Sequence, residues 1–182
     1  MDLKCEFPEG CRLDLWTMVV KAKFNEEILV MDDTICILES EVGGRITNIE
    51  DIRIKVLDTG YRFNFNNLSV RIDYKVVMVV LADDEEQVVT FHGTFKQDID
   101  YCQFDPPLTS AEIRAEIDQA EIIINHWIPD WEILGDCVNR WEPGCFSPVH
   151  GTLIRFKLLL SLLVKIGKMH DVIIYGEMDP ES

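Results

Sequence analysis

The chain has 182 residues, a hydrophobic fraction of 47% and a formal net charge of −16 at pH 7. This length is enough for one domain with a full core, and the hydrophobic fraction argues against a disordered chain. The excess of 33 acidic over 17 basic residues argues against binding to nucleic acid phosphates or to an anionic membrane surface.

The N-terminal half of the chain reads as a series of strands joined by short turns. Residues 1–12 are expected to form a flexible arm. The predicted strands cover residues 13–24, 27–38, 51–65, 68–82 and 87–96, the last with an extension to Tyr101. Turns are expected at Asn25-Glu26 and, with positive φ, at Asn66-Asn67, a bulge or bend at Gly60, and a charged hairpin tip at Asp83–Glu86.

Alternation of apolar and polar residues supports this assignment. Apolar residues occupy every second position at Ile52, Ile54 and Val56, and again from Leu68 to Val76. A period of two places one set of side chains on a buried sheet face and the other set in water. The pattern therefore predicts an antiparallel sheet built from hairpins.

The C-terminal half is less regular. Asp105-Pro106-Pro107 is expected to end the preceding sheet segment, because proline cannot donate to a ladder. Residues 110–124 are open between a helix that starts near Ser110 and a strand; the alternation of Ile113, Ala115 and Ile117 favours the strand. An irregular insertion is then expected over 127–150. Strands at 152–166 and 171–175, a turn at Gly167-Lys168 and a tail over 177–182 complete the prediction.

These elements predict an all-β fold: a single antiparallel β-sandwich or barrel-like domain over residues 13–176, interrupted by the insertion. The most apolar run, residues 158–164, is too short to span a bilayer and reads as a buried strand, so no membrane insertion is expected. The first residues lack the pattern of a signal peptide, which predicts synthesis in the cytoplasm.

Catalytic and cofactor motifs are not found, so the chain is expected not to be an enzyme. It has no nucleophile elbow and no phosphate-binding loop, and its four histidines are dispersed without metal-ligand spacing. The acidic run Asp83–Glu86 could bind Ca²⁺ weakly; the alternative is a solvated hairpin tip. No other cofactor or metal is predicted.

Aromatic and cysteine residues are the remaining candidates for a site. Trp127, Trp131 and Trp141 lie in the expected insertion, where they could contact a neighbouring subunit, stack on sugars, or form a small core of the insertion. Cys36 is interpreted as a small core residue, with a bonded cysteine as the alternative. Four cysteines in irregular segments are candidates for disulfides between subunits, with pairing inside one chain or free thiols as alternatives: Cys5, Cys11, Cys137 and Cys145.

One short segment of the sequence resembles a known family. The strand Val88–His92 leads into Gly93, followed by Lys96, Ile99 and Tyr101. This arrangement is similar to the SPOCS domain of spore-coat and exosporium morphogenetic proteins of clostridia and their relatives. The likeness would cover about residues 15–175, and the insertion departs from it.

The resemblance implies a non-enzymatic structural role in the bacterial spore envelope, either in the coat or exosporium layer or as a filament subunit. It implies self-assembly, contacts with other spore-coat proteins and location at the spore surface, and it transfers no catalytic residue. A carbohydrate- or peptidoglycan-binding β-sandwich that uses the tryptophans is the alternative from another functional class.

Overall fold

Long strands account for most of the chain. The computed structural model describes residues 11–139 and 149–176. The strands in these ranges are β1 (Cys11–Leu38), β2 (Ile46–Phe63), β3 (Asn67–Ala82), β4 (Glu85–Asp100), β5 (Gln119–Asn139) and β6 (Val149–Gly176). Two short helices are α1 (Glu39–Val42) and α2 (Ser110–Glu116), and a 3₁₀ turn covers Tyr101–Gln103. The predicted fold class is confirmed: the protein is all-β, with antiparallel sheets in a sandwich-like fold.

The six strands form two three-stranded sheets, with strand orders β2-β3-β4 and β1-β6-β5. The register between β3 and β4 is unbroken, whereas β2 carries an extra residue opposite β3 at three places: Thr47, Glu50 and Leu57. Such extra residues are β-bulges, which bend a strand and increase its twist. The bulge predicted at Gly60 is wrong, because Gly60 pairs regularly with Arg71.

The described residues divide into two compact units. The first contains residues 11–24, 101–121 and 164–176, and β1, β5 and β6 each contribute residues to both units. Three aromatic rings pack together in this unit: Phe104 lies 5.9 Å from Phe24 and 6.5 Å from Tyr101, measured between ring centroids. Lys23 and Asp105 exchange two backbone hydrogen bonds beside them.

The second unit contains residues 25–100, 122–139 and 149–163 among those described. Its core is supplied by alternate residues of the two central strands, β3 and β6. The buried members are Leu68, Val70, Ile72, Tyr74, Val76, Met78 and Val80 on β3, and Ile154, Phe156, Leu158, Leu160 and Leu162 on β6. A hydrogen bond of 3.2 Å from the backbone N–H of Ile46 to the hydroxyl of buried Thr152 joins β2 to β6.

The two hairpins of the β2-β3-β4 sheet have different turns. Between β3 and β4, Asp83 and Asp84 have φ values of 46° and 67°, the combination of a two-residue type I′ turn. The acidic hairpin tip is thus confirmed at Asp83 and Asp84, whereas Glu85 and Glu86 already belong to β4. Between β2 and β3 the turn covers residues 64–66, and the Asn64 N–H donates to the Asn67 carbonyl at 2.9 Å. A turn at Asn66-Asn67 with positive φ is wrong, because Asn67 is the first residue of β3.

Helix α2 corrects the strand favoured for residues 110–116. Its N-cap, Thr109, accepts from the Glu112 N–H at 3.3 Å, and the Glu112 carboxylate accepts from the Thr109 N–H at 2.8 Å. This reciprocal capping box stabilises a helix start and overrides the alternation of the three apolar residues. The pKa of Glu112 is lowered by its hydrogen bonds to the side chain and backbone of Thr109.

Three further predictions about strand ends are wrong. Strand β1 continues through Asn25-Glu26, and β6 continues through Gly167-Lys168. Residues 127–139 of the expected irregular insertion belong to β5. Asn25 and Glu26 are exposed on a strand at the edge of its sheet, where polar side chains stay in water at little cost. The remainder of the insertion, the arm over residues 1–10 and the tail over 177–182 lie outside the described residues.

Candidate functional site

The outer face of the β2-β3-β4 sheet carries closely spaced positive charge. Residues directly opposite one another in neighbouring strands share a face. Arg71 lies directly opposite Lys96, and Lys75 lies directly opposite Lys55. Side chains of like charge at such positions destabilise a sheet. A concentration of cations on a chain with a net charge of −16 is therefore a candidate for ligand or partner binding.

One carboxylate on this face is held by two donors. The Asp73 carboxylate accepts from Arg71 Nε at 3.1 Å and from the Thr94 hydroxyl at 2.7 Å. The hydrogen bond from Arg71, followed by that from Thr94, lowers the pKa of Asp73. The ion pair between Arg71 and Asp73 holds the Arg71 guanidinium beside the position of Lys96.

A groove of about 630 Å³ lies at the end of the sheet nearest the β2–β3 turn. The side chains that give it its chemistry are Tyr61, Arg62, Asn64, Arg71, Lys96 and Asp98. Three of these are cationic, and the one carboxylate, that of Asp98, already accepts from the Ser69 hydroxyl. Within the described part of the chain, neither Arg62 nor Lys96 has an ion-pair partner. We call this site the basic groove; its chemistry suits carboxylates and other oxyanions.

The opposite end of the same sheet is acidic. The β3–β4 turn and the first residues of β4 form a run of four exposed carboxylates, Asp83, Asp84, Glu85 and Glu86, which we call the acidic tip. Over residues 11–139 and 149–176, no three or more His, Cys, Asp or Glu side chains are grouped so that they could hold a metal ion. Weak Ca²⁺ binding at the tip stays a prediction.

The tryptophans do not form one cluster among the described residues. Trp127 is half-buried and lines a cavity of about 370 Å³ together with Ile52, Arg53, Ile54, His126 and Ile128. Trp131, further along β5, is 43% exposed. The position of Trp141 lies outside the described residues.

The cysteines are arranged differently from expectation. Cys36 and Cys137 form a disulfide, so the interpretation of Cys36 as a small core residue is wrong. Their Cα atoms are 6.0 Å apart although β6 lies between β1 and β5 in the sheet order, and next-nearest strands are normally about 10 Å apart. The two edge strands therefore converge at this end of the sheet. Cys137 is bonded within its own chain and not to Cys145.

The other cysteines give less structural information. Cys11 is the first residue of β1, and Cys5 and Cys145 lie outside the described residues. Cys102, in the 3₁₀ turn, is exposed and free. The sequence interpretation did not single out this thiol, and nothing in its neighbours distinguishes it from the others.

Residues that carry the family resemblance have packing roles. Gly93 lies directly opposite Tyr74, and Ile99 and Tyr101 are buried at the end of β4 and just after it. Lys96 is the exception, because it is exposed and lines the basic groove. The pattern thus describes the end of a packed strand together with one solvent-facing cation.

Sequence inspection missed the basic groove. The signal was present, because Arg62, Arg71 and Lys96 each occupy a polar position of an alternating strand. The hairpin register that brings them together depends on the turn at residues 64–66. The turn predicted from the sequence begins two residues later, at Asn66.

Two observations bear on the chain as a whole. Neither described helix is both long and apolar enough to cross a membrane. Comparison with protein-family models, with curated proteins and with solved structures finds no match to this chain.

Proposed function

We propose that the protein has a structural role and associates with further copies of itself, without catalysis. The observation that carries this proposal is the position of its exposed large apolar side chains. Those on strands all belong to β1, β2, β4 and β5, the four edge strands of the described sheets. Examples are Trp16 and Val88, each 67% exposed, and Trp131.

Edge strands present unpaired backbone N–H and C=O groups to any strand that approaches them. Monomeric proteins blunt such edges with charges, prolines or short strands, and they seldom expose tryptophan there. Here apolar and aromatic side chains stand on strands of up to 28 residues. Contact with another copy would bury these side chains and could pair the open edges.

The location that we propose is the envelope of a bacterial spore, in a coat or exosporium layer or in a surface filament. The support for this location is the resemblance of residues 93–101 to the SPOCS domain. Other spore-coat proteins are then the expected additional partners.

Electron microscopy and light scattering of the purified full chain test self-association. Ordered polymers or defined oligomers that grow with protein concentration are expected. Monodisperse monomers up to the highest soluble concentration would overturn the proposal. A matched pair of variants tests the apolar contacts: Val88→Lys should weaken association more than Thr90→Lys, because both sites are exposed positions of β4 and only Val88 is apolar.

The second candidate function is binding of a glycan. The observation in its favour is the cavity beside Trp127, where an aromatic ring, the Arg53 guanidinium and His126 line one pocket. Aromatic rings bury sugar faces while neighbouring polar groups bind hydroxyls. Loss of glycan-array binding in Trp127→Ala, with retention in Trp16→Ala, would favour this function. An array on which the wild-type chain binds no glycan would exclude it for the glycans present.

A further inference from the structure

We propose that copies of the chain join head to tail, with the acidic tip of one copy seated in the basic groove of the next. This contact rests on the proposed self-association and specifies one of its surfaces. The occupant of the groove is thus a second copy of this chain, and the chemistry that recognises it is a run of carboxylates.

Charge in the groove supports an anionic occupant. Three cationic side chains line it against one carboxylate, and that carboxylate is engaged by Ser69. Arg71 lies directly opposite Lys96, and its charge is already offset by the Asp73 carboxylate that it binds. Arg62 and Lys96 are the two groove cations without an ion pair among the described residues, and an arriving carboxylate would supply one. The Arg62 guanidinium offers two parallel N–H donors to such a group, which adds geometric selectivity to the charge.

The acidic tip carries the charge that complements the groove. Its two-residue turn is defined by the left-handed conformations of Asp83 and Asp84, and the Asp83 N–H donates to the Arg45 carbonyl at 3.3 Å. All four carboxylate residues are exposed, and within the described residues none of them forms an ion pair. A preformed tip loses little conformational entropy on binding.

The two surfaces lie at opposite ends of one sheet. Arg71 is four residues after the start of β3, and the tip follows its last residue, Ala82. At about 3.3 Å per residue, the groove and the tip are about 40 Å apart. The two surfaces differ, so a copy that uses both with different neighbours makes heterologous contacts, which produce a ring or an open filament. Two copies that exchanged the contact reciprocally would instead form a closed two-fold dimer, and electron microscopy distinguishes that outcome from the head-to-tail arrangement.

Charge balance makes this contact selective. Copies with a net charge of −16 repel one another over most of their surface. The groove is a surface on which the approach of an acidic element is favourable, so the field would orient copies head to tail before they touch. Exposed ion pairs are individually weak. A filament therefore needs several of them at each contact, and the groove and tip provide them.

Charge reversal in separate copies tests the contact. A groove-reversed copy carries Arg62→Glu and Lys96→Glu; a tip-reversed copy carries Glu85→Lys and Glu86→Lys. Each alone should lose self-association by about tenfold or more in the concentration required, since the reversed groove repels the tip, and the reversed tip, which keeps Asp83 and Asp84, has no net charge to attract the groove. Mixed in equal amounts, the two should co-assemble, because the lysines introduced at positions 85 and 86 can pair with the glutamates introduced at positions 62 and 96, and the unchanged tip fits the unchanged groove. Lys157→Glu with Lys168→Glu is the control: both residues lie on β6 in the other sheet, the change in net charge equals that of the groove-reversed copy, and no cation of the β2-β3-β4 face is changed.

Light scattering and electron microscopy read the outcome. We expect each reversed copy to lose self-association, the mixture to recover it and the control to keep it. We also expect a subunit spacing of about 40 Å along the assembly. Wild-type assembly that both reversed copies retain would overturn the head-to-tail contact and leave self-association standing. A wild-type chain that stays monomeric would overturn the proposed function itself.

Discussion

Gly93 on β4 lies directly opposite Tyr74 on β3, and the tyrosine ring covers the space in which a side chain of Gly93 would stand. An idealised methyl group at Gly93 would overlap the ring carbons and the hydroxyl oxygen of Tyr74. An aromatic ring that packs across a strand onto a glycine protects the backbone that the glycine leaves bare. The size of Tyr74, its cross-strand neighbour, thus explains why a glycine stands at position 93 in the segment that resembles the SPOCS domain.

Replacement of Gly93 by alanine should destabilise the fold by about 1–3 kcal/mol, the usual cost of extra volume in a packed site. Tyr74 is only 5% exposed, so its ring has little room to move aside. Gly60→Ala is the matched control: Gly60 also lies in a strand of this sheet, and nothing lies within 4 Å of a methyl group there. Urea unfolding of both variants measures the difference. Equal stability of the two would show that the ring yields freely.

The fold could be predicted from the sequence for strands that have one face buried and the other exposed to solvent. Leu68, Val70, Ile72, Tyr74 and Val76 are all buried, as their alternation indicates. Local turn preferences were misleading in the other sheet. Asn25-Glu26 and Gly167-Lys168 resemble turns, yet long-range pairing with neighbouring strands keeps β1 and β6 extended through them. Short-range propensity is a weak guide when distant partners supply the hydrogen bonds.

The site was less predictable because its parts are distant in sequence. The basic groove needs the register of two hairpins, and a shift of two residues in one turn changes which cations meet. The disulfide joins cysteines 101 residues apart, and spacing alone does not determine connectivity.

Burial of Tyr74 raises its pKa and predicts a loss of stability in alkali. The unfolded chain releases the phenolic proton near the ordinary value of about 10, whereas the folded chain holds it to a higher pH. The contribution of Tyr74 is therefore fully present below the unfolded pKa and is lost as pH rises through the folded pKa. In Tyr74→Phe, the free energy of unfolding should decline less between about pH 9 and 11.5 than in the wild type. Parallel declines in the two proteins would contradict the burial argument.

Asp73 provides the opposite pH dependence. Its pKa is lowered by hydrogen bonds from Arg71 and Thr94, so its contribution is present above the unfolded pKa and is lost as pH falls through the folded pKa. Thr94→Val removes one donor and should raise the pKa of Asp73, as followed by NMR titration of the carboxyl carbon. Thr90→Val, on the same strand and equally exposed, should leave the pKa of Asp73 unchanged. A Thr94→Val titration that superimposes on the wild type would rule out this hydrogen bond in solution.

Disulfides between subunits can be tested on oxidised, assembled material. Cys137 is engaged with Cys36, so the remaining candidates from the sequence are Cys5, Cys11 and Cys145. Non-reducing electrophoresis should show a ladder that collapses with reductant and that is lost in the triple serine variant of these residues. Cys102→Ser is the control: if the ladder persists in this variant, the exposed Cys102 thiol does not form the bonds between subunits. A single monomer band without reductant would mean that no bond joins the subunits.

The Cys36–Cys137 disulfide should stabilise the folded chain by about 2–4 kcal/mol, because it closes a long loop and restricts the unfolded state. Denaturant unfolding of Cys36→Ser/Cys137→Ser should show this loss under oxidising conditions. Reductant should lower the wild type to the level of the double variant and leave the double variant unchanged. Cys102→Ser keeps the disulfide, removes an exposed thiol and should match the wild type in both conditions. If reductant lowered the stability of the double variant as well, another disulfide would be responsible. If it changed neither protein, the convergence of β1 and β5 would be maintained by packing without the covalent bond.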